Sequence, residues 1–274
     1  MEFIEIIKVI IIGIVEGITE WLPISSTAHM ILVDKHLGLS MSEAFKDMFF
    51  VVIQLGAIMA VVVLYWRKIF PISSKNGLRI RKDIMSLWYK ILVACIPAAV
   101  IGILFDDKID ELFNNHQTIA IALIVYGALF IIVENANQNR RADITELPYM
   151  TYKIAFLIGI FQVLALIPGT SRSGATIIGA MLLGASRIVS VEFTFLLAIP
   201  VMFGASLLKM LKFGFAFTGA EMATLLIGMI VAFIVSIMTI RVFINYIKKS
   251  DFKAFGWYRI VLGLVLILEM LISQ

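Results

Sequence analysis

The sequence predicts an all-α polytopic membrane protein with an inverted-topology repeat, each half made of one re-entrant helical hairpin and three transmembrane helices. Three observations predict it. Of the 274 residues, 61% are hydrophobic and only 15% charged, whereas soluble domains run at about 45–50% and about 25%. Six apolar stretches are long enough to cross a bilayer, which takes about 20 residues. Two further apolar segments are interrupted near the middle by proline, glycine and hydroxyl residues.

The six crossings are expected at roughly 45–66, 86–105, 118–135, 188–211, 221–245 and 257–273. The interrupted segments are 3–37 and 150–185, broken at Leu22-Pro23-Ile24-Ser25-Ser26-Thr27 and at Ile167-Pro168-Gly169-Thr170-Ser171-Arg172-Ser173-Gly174. A broken helix leaves backbone groups unpaired, which the bilayer tolerates only where protein or a wet cavity surrounds them. Each is therefore read as two short helices entering and leaving by one face, in preference to a kinked spanning helix. With no long hydrophilic stretch, the chain is expected to be one membrane domain over 1–274.

The halves, about 1–135 and about 150–274, resemble each other. Gly13-Ile14-Val15-Glu16 matches Gly159-Ile160-Phe161-Gln162, and with the same offset Ser25 meets Ser171 and Ala28 meets Gly174. Leu55-Gly56-Ala57 and Phe203-Gly204-Ala205 form a further match. An odd number of crossings per half inverts the second copy.

Lysine and arginine set the orientation. If 1–44 lies outside, the inner side gathers Arg67, Lys68, Lys75, Arg79, Arg81, Lys82, Lys90, Arg140, Arg141, Lys153, Arg187, Arg241, Lys248, Lys249, Lys253 and Arg259. The outer side keeps Lys8, Lys35, Lys46, Lys108, Lys209 and Lys212, with an acidic run from Asp106 to Glu111. Both termini are then expected outside. Met1-Glu2-Phe3-Ile4-Glu5 lacks the basic region of a cleavable signal, so the first apolar stretch is expected to stay. Trp21, Trp66, Trp88 and Trp257 suit interfacial belts, while His36 and His116 read as solvated. The lone Cys95 excludes an internal disulfide and reads as packing. No nucleic-acid motif carries the basic residues.

Chemistry is sought among ionisable groups inside the apolar segments. Glu16, Glu20 and Arg172 fall in the two hairpins, with His29 nearby. Facing lipid they would together cost on the order of 8–10 kcal/mol, so they must face one another or a wet cavity. Glu16 and Glu20 stand four apart and share a helix face. Two carboxylates there call for a shared proton or a cation, and magnesium prefers one or two carboxylates plus phosphate oxygens. Pro23 followed by serines is a helix-start signature, with Ser25 or Ser26 as cap and free N–H groups facing an anion. His29, about one turn in, could be a base, an acid or a phosphoryl acceptor. In the second break, glycines permit close approach and hydroxyls supply donors, while Arg172 offers phosphate a bidentate fork. Candidate phosphate-binding residues are thus Ser25 and Thr27 in the first break, and Gly169, Thr170, Ser171, Ser173 and Gly174 in the second. Gln162 and Leu166 stand where the first half has Glu16 and Glu20, so one wall is acidic and the other basic.

At Glu16–His29 and at Pro168–Thr176 the sequence resembles the bacterial undecaprenyl-diphosphatase family, and length and layout agree over essentially the whole chain. Ala28, where the family commonly has glycine, does not touch the proposed chemistry. The resemblance implies hydrolysis of undecaprenyl diphosphate to the monophosphate, recycling the lipid carrier for cell-wall polymers and lowering bacitracin sensitivity. It implies a site of Glu16, Glu20, Ser26, His29 and Arg172, a divalent metal (magnesium or calcium, held by Glu16 and Glu20), and an opening to the outer face of the plasma membrane. Expected partners are the bilayer and a polyprenyl diphosphate lipid, with a homodimer left open. The rival reading is a secondary transporter or flippase for a prenyl phosphate lipid, since inverted repeats with broken helices are also typical of transporters.

Overall fold

The computed structural model describes residues 2–73, 79–113, 115–138 and 140–272. Lys75 lies outside the described residues, as do the side chains of Arg79, Asp106 and Asp110. The fold is helical apart from a two-residue ribbon, β1 (Ile72–Ser73) against β2 (Arg79–Ile80).

Helix α1 (Phe3–Thr19) is apolar along its length and stops before Pro23, which cannot continue it. Helix α2 (Ser26–Leu37) closes on a left-handed Gly38. A first crossing joins α3 (Glu43–Val52) to α4 (Gln54–Leu64), and the short α5 (Trp66–Ile69) follows. Two crossings come next, α6 (Lys82–Phe113) and α7 (His116–Asn137). The second broken segment is α8 (Tyr152–Val163) and α9 (Arg172–Leu182). The chain ends with crossings α10 (Arg187–Phe213), α11 (Gly219–Ile247) and α12 (Lys253–Ile272).

Among the described residues six helices are long and apolar enough to cross a membrane, one at each expected place. The broken segments differ in kind. At 1.5 Å per residue α9 runs roughly 16 Å and α2 roughly 18 Å, well short of a hydrocarbon core of about 30 Å.

Close packing sets the helix pairs. Helix α1 lies along α11, where a side chain at Gly13 would come within 2.9 Å of Val231 and one at Gly17 within 2.7 Å of Val235. Helix α8 lies along α6, where a Cβ at Gly159 would fall 2.3 Å from the Ala94 carbonyl. Helices α7 and α12 cross at Gly127 and Gly256, each facing the other's carbonyl. Gly56 and Gly204, matched in sequence, are not alike: Gly56 meets the Met229 backbone, whereas Gly204 faces open space.

Several sequence expectations are corrected. Trp21 is not interfacial; it is fully buried with its ring edge-on to Phe195 at 5.0 Å. Trp66 and Trp257 are exposed, and Trp88 is half-buried, donating to the Ile69 carbonyl. Arg259 is not a loop cation but is fully buried inside α12. Lys90 is likewise buried, on α6, and donates to the Pro148 carbonyl. Both charges can lie inside because they find carbonyls there. His36 and His116 are exposed, as expected.

Candidate active site

The two breaks meet at the centre of the molecule. Each short second helix opens on a serine whose side chain caps it: Ser25 Oγ accepts from the Ala28 N–H and Ser171 Oγ from the Gly174 N–H. Both capping serines have positive φ, 73° and 71°. Ser25, not Ser26, is therefore the first cap, which leaves the Ser26 hydroxyl free to point elsewhere. It donates to Glu20 Oε2 at 2.5 Å.

Glu20 joins the hairpins. Its Oε1 accepts from Arg172 Nη2 at 3.1 Å, while Arg172 Nη1 donates to the Thr194 carbonyl on α10 at 3.0 Å. Ser173 Oγ lies 3.4 Å from the carbonyls of Glu20 and Leu22, and 3.1 Å from Ser171 Oγ. Thr176, donating to the Arg172 carbonyl, also meets the Thr194 hydroxyl at 2.9 Å. The structure thus brings Glu20, Ser26, Arg172 and Ser173 into one hydrogen-bonded chain.

Buried polar atoms with no hydrogen-bond partner among the described residues include both Glu16 oxygens, both ends of the Gln162 amide, Arg172 Nε and Trp21 Nε1. Unmet buried groups cost about 1–3 kcal/mol each, so the free Arg172 N–H within the hydrogen-bonded chain calls for a polar partner. Glu16 has two unmet oxygens, whereas each Glu20 oxygen already has a protein partner. No group of three or more His, Cys, Asp or Glu able to hold a metal occurs among the described residues. Glu16, with both oxygens unmet, is the carboxylate here with donors to spare for a cation, whose other ligands would be phosphate oxygens and water.

His29 stands apart. Its Nδ1 is 2.7 Å from the Ser25 carbonyl and its Nε2 is 2.8 Å from the Tyr258 hydroxyl on α12, with the two rings stacked. It shares α2 with Ser26 but has no direct bond to Glu20 or Arg172. Thr27 is half-buried. Gly169, at φ 89°, is pressed against the Ile119 backbone, and a Cβ at Gly174 would meet Arg259 Nη1 at 3.2 Å. Neighbouring protein thus accounts for both glycines.

Arg259, which the sequence reading places among the inner cations, reaches the candidate site. Its guanidinium donates to the Pro23 carbonyl at 3.0 Å and to the Gly169 and Thr170 carbonyls at 2.8 and 2.9 Å, so it ties one break to the other. Its ring neighbour is Tyr126, 5.6 Å away. The signal was present: an arginine inside an apolar span, Trp257-Tyr258-Arg259-Ile260-Val261. Glu134, also passed over, is a second buried charge; it accepts from Arg187 and from the Phe252 N–H.

A family model described as Bacitracin resistance protein BacA matches residues 9–265. The chain belongs to the BacA family. Within the BacA family it is similar to an undecaprenyl-diphosphatase of Enterococcus faecalis, 62% identical over 270 residues that cover 98% of both chains. It is 62% identical over 268 residues to one of Acetivibrio thermocellus, again 98% of both chains. One of Lachnoclostridium phytofermentans is 63% identical over 265 residues, 97% of both. The resemblance seen in the two motifs of this BacA chain is therefore borne out at full length.

Proposed function

We propose that this protein hydrolyses undecaprenyl diphosphate to undecaprenyl phosphate and inorganic phosphate, returning the lipid carrier to cell-wall synthesis and lowering bacitracin sensitivity. The observation that carries it is the Ser26–Glu20–Arg172 chain: a hydroxyl bonded to a carboxylate, beside a guanidinium with an unmet N–H. A nucleophile and its base within hydrogen-bond reach is what phosphoryl transfer to an activated hydroxyl needs.

In this reading the diphosphate enters headfirst between the breaks and the prenyl chain stays in lipid. Arg172 binds the terminal phosphate through Nε while Glu20 fixes the other side of the fork. Ser26 Oγ attacks the terminal phosphorus, its proton passes to Glu20, and undecaprenyl phosphate leaves. Water then releases phosphate from Ser26, with His29 serving proton transfer one turn away. Ser25, Thr27, Thr170, Ser171, Ser173 and the backbone at Gly169 and Gly174 shape the phosphate cradle. Glu16, with Glu20, would hold a magnesium or calcium ion, which when bound neutralises charge on phosphate oxygens.

The helix pairing supports an inverted repeat across a single membrane domain: exchanging the halves carries the α1–α11 pair onto α8–α6 and returns α7–α12 to itself, and the caps Ser25 and Ser171 share a positive φ. The lysine and arginine asymmetry supports both termini on the outer face of the plasma membrane, and the family resemblance implies that the site opens there too.

The test is phosphate release from undecaprenyl diphosphate by purified, detergent-solubilised protein with magnesium or calcium, then with EDTA. Release that EDTA abolishes and Glu20→Gln prevents is expected. Folded protein that binds the lipid and releases no phosphate would move the reading to transport.

A further inference from the structure

His29 is gripped at both ring nitrogens, and the two grips differ in kind. The Ser25 carbonyl can only accept, so Nδ1 carries the hydrogen of that 2.7 Å bond. In a neutral imidazole the lone pair then sits on Nε2, and the hydroxyl 2.8 Å away is the donor. That hydroxyl belongs to Tyr258, whose ring also lies parallel to the imidazole, with centroids 5.6 Å apart and planes 7° from parallel.

The backbone of Tyr258 is anchored next to the site. The next residue, Arg259, is fully buried and bonded to the carbonyls of Pro23, Gly169 and Thr170. Two neighbouring residues of α12 therefore reach the site side by side, one to the backbone of both breaks and one to the histidine. Tyr258 itself is 45% exposed, so burial alone does not hold its ring against His29.

We propose that Tyr258 is a positioning residue of the site: its hydroxyl holds His29 in the Nδ1–H tautomer, with Nε2 turned out as a proton acceptor. The proposal rests on the hydrolysis reading, and it settles the direction in which His29 works. The ring enters turnover as a base at Nε2, not as a donor there. Tyr258 shields that lone pair until a water, donating to it, takes its place.

The experiment is Tyr258→Phe in the full-length protein in detergent, with ¹⁵N-labelled histidine and with His36 and His116 replaced by glutamine so that one imidazole is observed. Phenylalanine keeps the stacking and removes only the hydroxyl. The parent should show a neutral ring with Nδ1 protonated, and the variant a mixture of the two neutral tautomers. Phosphate release by the variant should fall about tenfold in kcat, the order seen when a partner that orients a histidine is lost, with KM and the thermal midpoint unchanged. An imidazolium or an Nε2–H ring in the parent overturns the proposal, and so does an unaltered spectrum in the variant. A lowered midpoint with an unaltered spectrum makes Tyr258 packing alone. Parent protein that releases no phosphate defeats the hydrolysis reading instead, and the spectrum still decides whether Tyr258 holds the ring.

Discussion

Replacing Arg259 with methionine removes a side chain that binds the backbone carbonyls of both breaks. Its three bonds to the Pro23, Gly169 and Thr170 carbonyls are 3.0 Å or shorter. Bonds to a charged group contribute about 1.5–3 kcal/mol each, so the lower end for three is about 4–5 kcal/mol. Relief from burying a cation with no carboxylate among its described partners offsets part of that, and a net loss of about 3 kcal/mol is expected. For a chain of this size that lowers the thermal midpoint in detergent by roughly 6–12 °C. Turnover should fall as well, because the loosened carbonyls belong to the backbone that carries Ser26 and Arg172. Arg259→Lys, with a single ammonium for three carbonyls, should fall between. The assay is a melt paired with phosphate release at a temperature where both proteins are folded. A methionine variant that melts and turns over like its parent would refute the clamp.

Arg172→Lys keeps the charge but loses the fork shared between Glu20 and the Thr194 carbonyl; kcat for phosphate release should fall about 100-fold or more. Glu16→Gln leaves the protein folded but raises the magnesium needed for half-maximal release at least about tenfold, measured by metal titration after EDTA treatment. Gly159→Ala puts a methyl 2.3 Å from the Ala94 carbonyl and should cost about 1–3 kcal/mol in a melt. Gly204→Ala, with open space around it, should change little.

All six crossings could be read from the sequence, because a span needs only length and apolarity, and both are local. The breaks were equally plain, since Pro23, Pro168 and Gly169 act on their own backbone. What escaped was partnership across the chain. Nothing near Trp21 says that it meets Phe195, so it was placed at an interface. Arg259 reads as an inner cation in the sequence because its carbonyls lie 89 and more residues away. Glu20 and Arg172 were singled out for their cost in the bilayer, but their direct bond came only with the fold. His29 was weighed beside Ser26 by spacing, and only the tertiary structure hands its ring to Tyr258.

The two capping serines carry a consequence for selection. Ser25 and Ser171 hold the positive φ that L-residues adopt at a cost of about 1–2 kcal/mol each. Glycine would take the same conformation freely and give up only a few tenths of a kcal/mol as a cap. A screen for heat-resistant variants that ignored turnover would therefore be drawn to Ser25→Gly and Ser171→Gly, whereas a screen for growth on bacitracin would be drawn back to serine. On the proposed phosphate cradle, fold and chemistry pull in opposite directions at these two positions.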